Sequence, residues 1–451
     1  MANAKIFYFT LQDEQTKEEK LEWFENTPFE QIPFDHITPD KKVNWINLTD
    51  NDFDSLLPLI DKNVKDGNSQ KAVFILFSRG VETTRDEWVY DFDKTALHKK
   101  MNFFASEYKK SLNEKSQSES IKWSSSLERH FQSKVKVNFH ESLIIQNIYR
   151  PFVRLYHYSE KNFNHRLTSN HYEMFGRNLQ EINSLINLVD GSRLSLSTLS
   201  TNQLTNLSLF SLDPIQSIPL YRYDENGNRI DNITDWALTQ FQTHYQDSTI
   251  TKDHIFHYTY AVLHHPAYRT KYEINLKREF PRLPFYANFH QWATWGKTLM
   301  DLHLNYETIE PYDLKRVDKS TGKTRPVQVS LLPTEDPNPQ KPTRPTTPKA
   351  KLKADKTDGT IILDTETTLE GIPALAWDYK LGNRSALEWI LDQYKEKTPK
   401  DPTIRELFNT YKFADYKDHV IDLLKRVCTV SIRTMEIIHQ MPDTVDHQTK
   451  S

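Results

Sequence analysis

The sequence predicts an α+β chain: a short, partial α/β sheet, followed by a longer region that mixes β-rich and helical segments. Three observations carry this reading. Strand-like and helix-like segments alternate over the first ninety residues and end in the apolar run AVFILF (72–77). Residues 142–230 are rich in aromatic and β-branched residues and in turn signals. Segments dominated by helix formers lie on both sides of that stretch.

Taken in order, AKIFYFT (4–10) and KKVNWINL (41–48) read as strands and TKEEKLEWFENT (16–27) as a helix. KAVFILFSRG (71–80) is a continuous apolar run closed by Gly80. Such a run fits a strand buried on both faces, as in a mostly parallel sheet. With three or four strands at most, residues 1–93 read as the tail of a larger α/β domain. Residues 94–141 form a helical connector. Residues 142–440 form one further domain, β-rich over 142–230 and helical over 231–305. In its β-rich part, YRYDENGNRI (221–230) reads as a hairpin turning at Asn226-Gly227. In its helical part, DHIFHYTYAVLHH (253–265) stops at Pro266. A proline-rich loop spans 318–358, with seven prolines in residues 326–348 that predict an extended, partly mobile segment. A strand, GTIILD (359–364), and two helices near 385–397 and 415–441 complete the domain, and 441–451 is a tail.

Composition excludes several classes. Aromatic residues at 12% argue against wholesale disorder. The longest apolar runs are far short of a membrane span, and no basic-then-apolar start marks a signal peptide. A cytoplasmic location and no membrane partner are therefore expected. One cysteine, Cys428, excludes an intrachain disulfide and a cysteine-based zinc finger. There are only 10 glycines in 451 residues and no Gly-x-Gly, which removes the dinucleotide fingerprint. Gly296-Lys297-Thr298 and Gly322-Lys323-Thr324 imitate the end of a P-loop. The glycine that must stand five residues earlier is replaced by Gln291 and Val317.

The net charge of −3 hides a strong segregation. Residues 1–60 carry five lysines against twelve acids, net −7. Residues 94–166 carry fourteen Lys/Arg against six Glu, net +8, and residues 315–356 eleven against four, net +7. Two basic zones on a mildly acidic chain suggest a polyanionic partner, although lysine-rich helix faces are often simply solvated.

Among local constellations, His254, His257, His264 and His265 share roughly one helical face, but no acidic third ligand accompanies them, so packing or capping is the simpler role. In SRGVETTRDEWVY (78–90), Arg79 and Arg85 suit phosphate contact, and a structural pairing of Arg85 with Asp86 explains them equally well. In YRPFVRLYHY (149–158), Arg150, Phe152, Arg154 and Tyr156 fall at strand period and would share a face. That pattern suits DNA contact, and it equally suits cation–π packing inside the protein. The chain has no Asn/Asp/Ser-Pro-Pro-aromatic motif and no Gly-x-Ser-x-Gly elbow. Cys428 lies in an apolar helical pattern and is expected to be buried and inert.

Five stretches together resemble the C-terminal part of Type ISP restriction–modification enzymes. They are SRGVETTRDEWVYDF (78–92), YRPFVRLYHY (149–158), FHYTYAVLHHPAYRTKYEINLKREFPRLPF (256–285), WATWGKTLMDLHLNYE (292–307) and GIPALAWDYKLGNRSALEWILDQY (371–394). Members of that family join nuclease, helicase-like ATPase, adenine methyltransferase and target recognition in one chain. The resemblance implies the end of a methyltransferase-like α/β sheet, then a mixed β-rich and helical DNA target-recognition domain. It also implies double-stranded DNA as partner, read by loops of the β-rich part around 177–230.

Joined to the basic zones, this gives Arg85, Arg150, Arg154, Arg166, Arg193, Arg222, Arg229, Lys323 and Arg325 as DNA-contact candidates, with no catalytic and no metal-binding residue. The nuclease, ATPase and methyl-donor motifs of the family are not found here. S-adenosylmethionine, ATP and Mg are therefore expected as cofactors of the whole enzyme only, and an upstream methyltransferase/helicase/nuclease polypeptide is an expected partner. Two other readings stay open: half of a split adenine-specific DNA methyltransferase/nuclease, or a protein-interaction module that docks through its acidic 1–60 edge.

Overall fold

The computed structural model describes residues 5–11, 17–39, 45, 51–189, 195–210, 213–319 and 348–445. The chain divides into two compact units, Met1–Leu56 and Leu57–Ser451. In the first, Ile6–Tyr8 pairs antiparallel with Asp35–Ile37. The helix Lys17–Asn26 carries Trp23, whose ring stacks on Phe9 at 4.8 Å. Most of the segment 41–48, expected as a strand, lies outside the described residues.

In the second unit the fold is mixed α+β, and all its ladders between named strands are antiparallel among the described residues. The parallel, doubly covered strand expected over 71–80 is not formed. Ala72, Val73, Phe74, Leu76 and Phe77 are buried, but the segment threads the core and satisfies its backbone piecemeal. Val73 and Phe74 N–H donate to the Pro58 and Leu59 carbonyls, and Ile75 N–H to that of Asn232. Only Ser78–Arg79 is a strand, paired with Ile215–Pro219. An apolar run reports burial on all sides; it does not report which backbone partners fill the hydrogen bonds.

Ser78–Arg79 is the edge of a four-stranded sheet that continues through Ile215–Pro219, Leu185–Val189 and Thr198–Thr201. The last three strands are buried throughout. Asn187, fully buried in the middle, is satisfied by the Leu199 carbonyl, Thr201 Oγ1 and Ser217 Oγ.

The helix Lys94–Glu114 starts where Asp93 accepts from Ala96 N–H at 2.7 Å. Leu97, Met101, Phe104, Ala105 and Tyr108 recur at helical spacing and are buried. They face Trp88 and Phe163, whose rings lie 5.1 and 5.0 Å from Phe104. Beside this helix runs a three-stranded sheet, Tyr90–Asp91, Val153–Tyr158 and Ile144–Arg150. Residues 149–158 are thus a hairpin corner, not one strand. Pro151 has no N–H to give a ladder and Phe152 takes φ +59°, so the chain reverses there and Arg150 and Arg154 sit on different strands. The Asn226-Gly227 turn does form, with Gly227 at φ +82° between Tyr221–Tyr223 and Arg229–Asp231.

The helices Lys252–His264 and Phe289–Leu304 pack against each other, with Gly296 at the contact. A Cβ at that position would lie 1.7 Å from the His257 carbonyl oxygen. The first Gly-Lys-Thr triplet therefore belongs to a helix crossing; the second lies outside the described residues. Lys315–Asp318, Thr367–Glu370, Thr360–Asp364 and Ala350–Asp355 form a second four-stranded sheet. Its core is shared with the helices Ala386–Gln393 and Phe413–Ile438. Cys428 is buried there, and burial pushes its thiol up to about 12. Residues 320–347, most of the proline-rich loop, and the tail beyond 445 lie outside the described residues, while the Pro442 carbonyl is held by His265 at 2.6 Å. Among the described residues no helix is long and apolar enough to cross a membrane.

Among the described residues five histidines, His157, His171, His264, His265 and His303, are buried in this framework. His157 bridges Asn147 and Asn164, and His171 spans Thr168 N–H and the Arg79 carbonyl. His303 links the Tyr260 hydroxyl at 2.6 Å to Thr434 Oγ1 at 2.9 Å. Burial lowers the first two to about 4 and His303 to about 3.

Candidate nucleic-acid interface

The basic 94–166 zone separates into a buried and an exposed set. Lys100 is buried, donating to the Tyr90 carbonyl and to Asp91, both at 2.8 Å. Lys94 reaches Glu141 at 3.8 Å. Lys99, Lys109, Lys110, Lys115, Lys122 and Lys134 are exposed and have no carboxylate within 4 Å among the described residues. The apolar stripe that anchors the Lys94–Glu114 helix is what turns Lys99, Lys109 and Lys110 outward.

The arginines expected at the interface take up distinct roles. Arg85 is 1% exposed. Its guanidinium donates to the Phe163 carbonyl at 3.0 Å and to Ser124 Oγ, lies 5.6 Å from the Phe104 ring, and is lowered to about 10 by burial. It offers an outside ligand no surface and holds the 78–92 loop to the helical connector. Asp86 is not its partner: that carboxylate accepts from Thr83 and Tyr149.

Arg150 is half-buried, over the Tyr149 ring at 4.0 Å and bonded to Asn206 Oδ1 at 2.9 Å. Arg154 pairs with Glu307 at 2.8 Å and lies 5.4 Å from the Tyr306 ring. Arg166 is exposed, 3.5 Å from Glu82. On the hairpin, Arg229 is exposed over the Tyr221 ring at 4.2 Å, and Arg222 is half-buried against the Asp231 carbonyl. Desolvation lowers the Arg222 pKa. Arg193, Lys323 and Arg325 lie outside the described residues.

Charge counting along the chain could not place a further basic cleft. Short pairing of Leu57–Pro58 with Arg282–Leu283 brings Lys62, Arg79, Arg278 and Arg282 around a space of about 650 Å³. Asp61 and Glu279 share it, and Glu279 lies 3.9 Å from Arg282. Arg79 had a sequence signal in the 78–90 motif; Lys62, Arg278 and Arg282 had none, because the residues that meet are some 220 positions apart.

A second cleft, about 580 Å³, gathers Glu82, Asp86, Glu87 and Asp401 with Lys122 and Lys400. Its acids are engaged in tying distant segments together. Glu87 accepts from the Lys400 and Asp401 N–H groups at 3.0 Å, and Asp401 from Trp88 Nε1 at 2.8 Å. Of the four helix-face histidines, His254 caps the Lys252–His264 helix with Thr251, His264 bonds the Tyr260 carbonyl, and His265 joins Tyr286 to Pro442. His257 is half-buried, and burial lowers its pKa.

Curated proteins gave no match. Three solved structures resemble the chain across most of its length. The DrdV–DNA complex is 42% identical, with a TM-score of 0.84, covering 98% of this chain and 44% of that one. A nuclease-deletion mutant of the Type ISP restriction-modification enzyme LlaGI, in complex with a DNA substrate mimic, is 27% identical, with a TM-score of 0.78, covering 100% and 40%. The ATP-dependent Type ISP restriction-modification enzyme LlaBIII, bound to DNA, is 25% identical, with a TM-score of 0.71, covering 91% and 26%. The chain thus spans less than half the length of each. Residues 72–423, which hold the hairpin corner, both four-stranded sheets and the packed helix pair, match the Type ISP C-terminal specificity domain, and the chain belongs to that family.

Proposed function

We propose that this chain recognises a specific sequence in double-stranded DNA as the specificity part of a Type ISP restriction–modification system. The observation that carries the proposal is the match of nearly the whole chain to a protein solved on DNA, at 42% identity. The exposed, unpaired lysines of the helical connector supply charge for backbone phosphates and so set register. Arg166 and Arg229 are exposed, Arg222 lies half-buried on the same hairpin as Arg229, and these three are the candidates for closer contact. Bidentate arginine–guanine pairing is worth about 1–3 kcal/mol of discrimination per base. Arg150 and Arg154 are half-buried and already bonded to Asn206 and Glu307, which makes them weaker candidates. Methyl transfer, ATP hydrolysis and cleavage, with S-adenosylmethionine, ATP and Mg, are assigned to an upstream methyltransferase/helicase/nuclease polypeptide.

The test is a gel shift on random-sequence duplexes across a salt series. Each neutralised phosphate contributes about −0.9 to the slope of log affinity against log salt, so a slope of about −4 or steeper is expected. No retardation at about 50 mM salt would reject the proposal, since electrostatic attraction is strongest there.

A further inference from the structure

The basic 315–356 zone supplies no described residue to the clefts around Lys62 and Glu82. Its described end leads into the edge strand Ala350–Asp355, where the register slips between Ala350 and Lys353. The slip places Leu352 in the core, 1% exposed at φ +46°, and leaves Lys351 and Lys353 exposed. Beside this strand, Lys395 comes from the segment after the helix Ala386–Gln393, and Lys412 is the residue that precedes the helix Phe413–Ile438. Lys349, Lys351, Lys395 and Lys412 line one cleft of about 740 Å³. All four are exposed, and none has a carboxylate within 4 Å among the described residues.

Two acids, Glu396 and Asp415, also line the cleft, and Glu396 is occupied in accepting from Phe413 N–H at 3.0 Å. Neighbouring lysines behave differently. Lys356 pairs with Glu388 at 2.9 Å, Lys397 with Asp392 at 3.4 Å and Lys417 with Asp364 at 2.7 Å. Lysines on an edge strand deter pairing with other chains, which explains Lys351 but not Lys395 or Lys412. Converging like charges repel one another, and an anion between them turns that repulsion into attraction.

We propose that this cleft is a second backbone-phosphate site for duplex DNA, separate in sequence from the 94–166 zone. The proposal rests on the DNA-recognition reading and adds a contact to it. Lysine suits the role: it is a point charge that holds phosphate without reading sequence. The site should therefore add affinity and salt dependence but no base preference.

The test compares the full chain with the variant K351Q/K395Q/K412Q. The expected result is a salt slope shallower by about 2–3, with an affinity loss of tenfold or more at about 100 mM salt. A control variant, K252Q/K277Q/K297Q, removes the same charge at carboxylate-paired lysines and should keep the parent slope. A parent chain that binds duplex while the cleft variant keeps its slope overturns the cleft and leaves DNA recognition standing. A parent chain that does not bind overturns both. Lysine acetylation of the unaltered chain gives a readout independent of variant folding. Lys351, Lys395 and Lys412 should lose reactivity when duplex is added, and unchanged reactivity, or protection by ATP and not by duplex, overturns the proposal.

Discussion

Gly296→Ala is expected to destabilise the Leu57–Ser451 unit by about 3 kcal/mol or more, because overpacking at a rigid contact has no inexpensive relief. The added Cβ would meet the His257 carbonyl oxygen at 1.7 Å and its carbon at 2.5 Å, both backbone atoms of a facing helix. Relief requires the helices Lys252–His264 and Phe289–Leu304 to move apart. That motion would break the seating of Tyr258 against Phe289 and Trp292, whose rings lie 5.0 and 6.5 Å away. In an ordinary exposed helix the same change stabilises, since alanine has the higher propensity. The sign therefore separates the two roles. Equilibrium denaturation monitored by tryptophan fluorescence should show a lower midpoint; a midpoint at or above that of the parent would mean that the crossing is looser than described.

The second large effect is acid lability. His157, His171 and His303 are held neutral by burial, at about 4, 4 and 3 against an ordinary 6.5. Above pH 6.5 both folded and unfolded chains carry these rings neutral, and stability is unaffected by them. As pH falls from 6.5 towards 4, the unfolded chain takes up protons that the folded chain refuses, so stability falls, by on the order of 3 kcal/mol for each ring. Below the folded values the loss levels off. The carboxylates held low by hydrogen bonds, such as Asp247 at about 2 and Asp364, lose their stabilisation at still lower pH. Urea titrations between pH 7.5 and 4.5 should therefore show a steep decline that begins near pH 6.5. A flat profile down to pH 5 would mean that these rings accept protons in place.

Much of the local structure could be read from local chemistry. The chain turned at Asn226-Gly227, with Gly227 taking the left-handed φ, and Pro266 ended the helix before it. Within the segment read as helical, Lys94–Glu114 is a helix whose Leu97, Met101 and Phe104 are buried. Two readings failed, one through a single residue and one through the choice of backbone partners. Pro151 broke an alternating strand into a corner, and the apolar 72–77 run was buried without being a ladder strand.

The site was less legible than the fold, for a physical reason. A sequence displays charge but not burial. Arg85 and Arg166 look alike in the chain, yet one is enclosed by Phe163, Ser124 and Phe104 and the other reaches solvent. Nor does a sequence display convergence: Lys351, Lys395 and Lys412 are about sixty positions apart at the extremes and meet on one cleft. Membership of the family was carried instead by long ordered stretches such as 256–285, most of which form the packed framework.

The proposed function places selectivity for a nucleotide sequence in this chain. It is tested most directly by selection from a pool of randomised duplexes, with bound DNA sequenced after several rounds at a salt concentration where binding is incomplete. One enriched consensus is expected, with each mismatch costing about 1–3 kcal/mol. Binding that retains its salt dependence while the recovered pool stays as random as the input would contradict it.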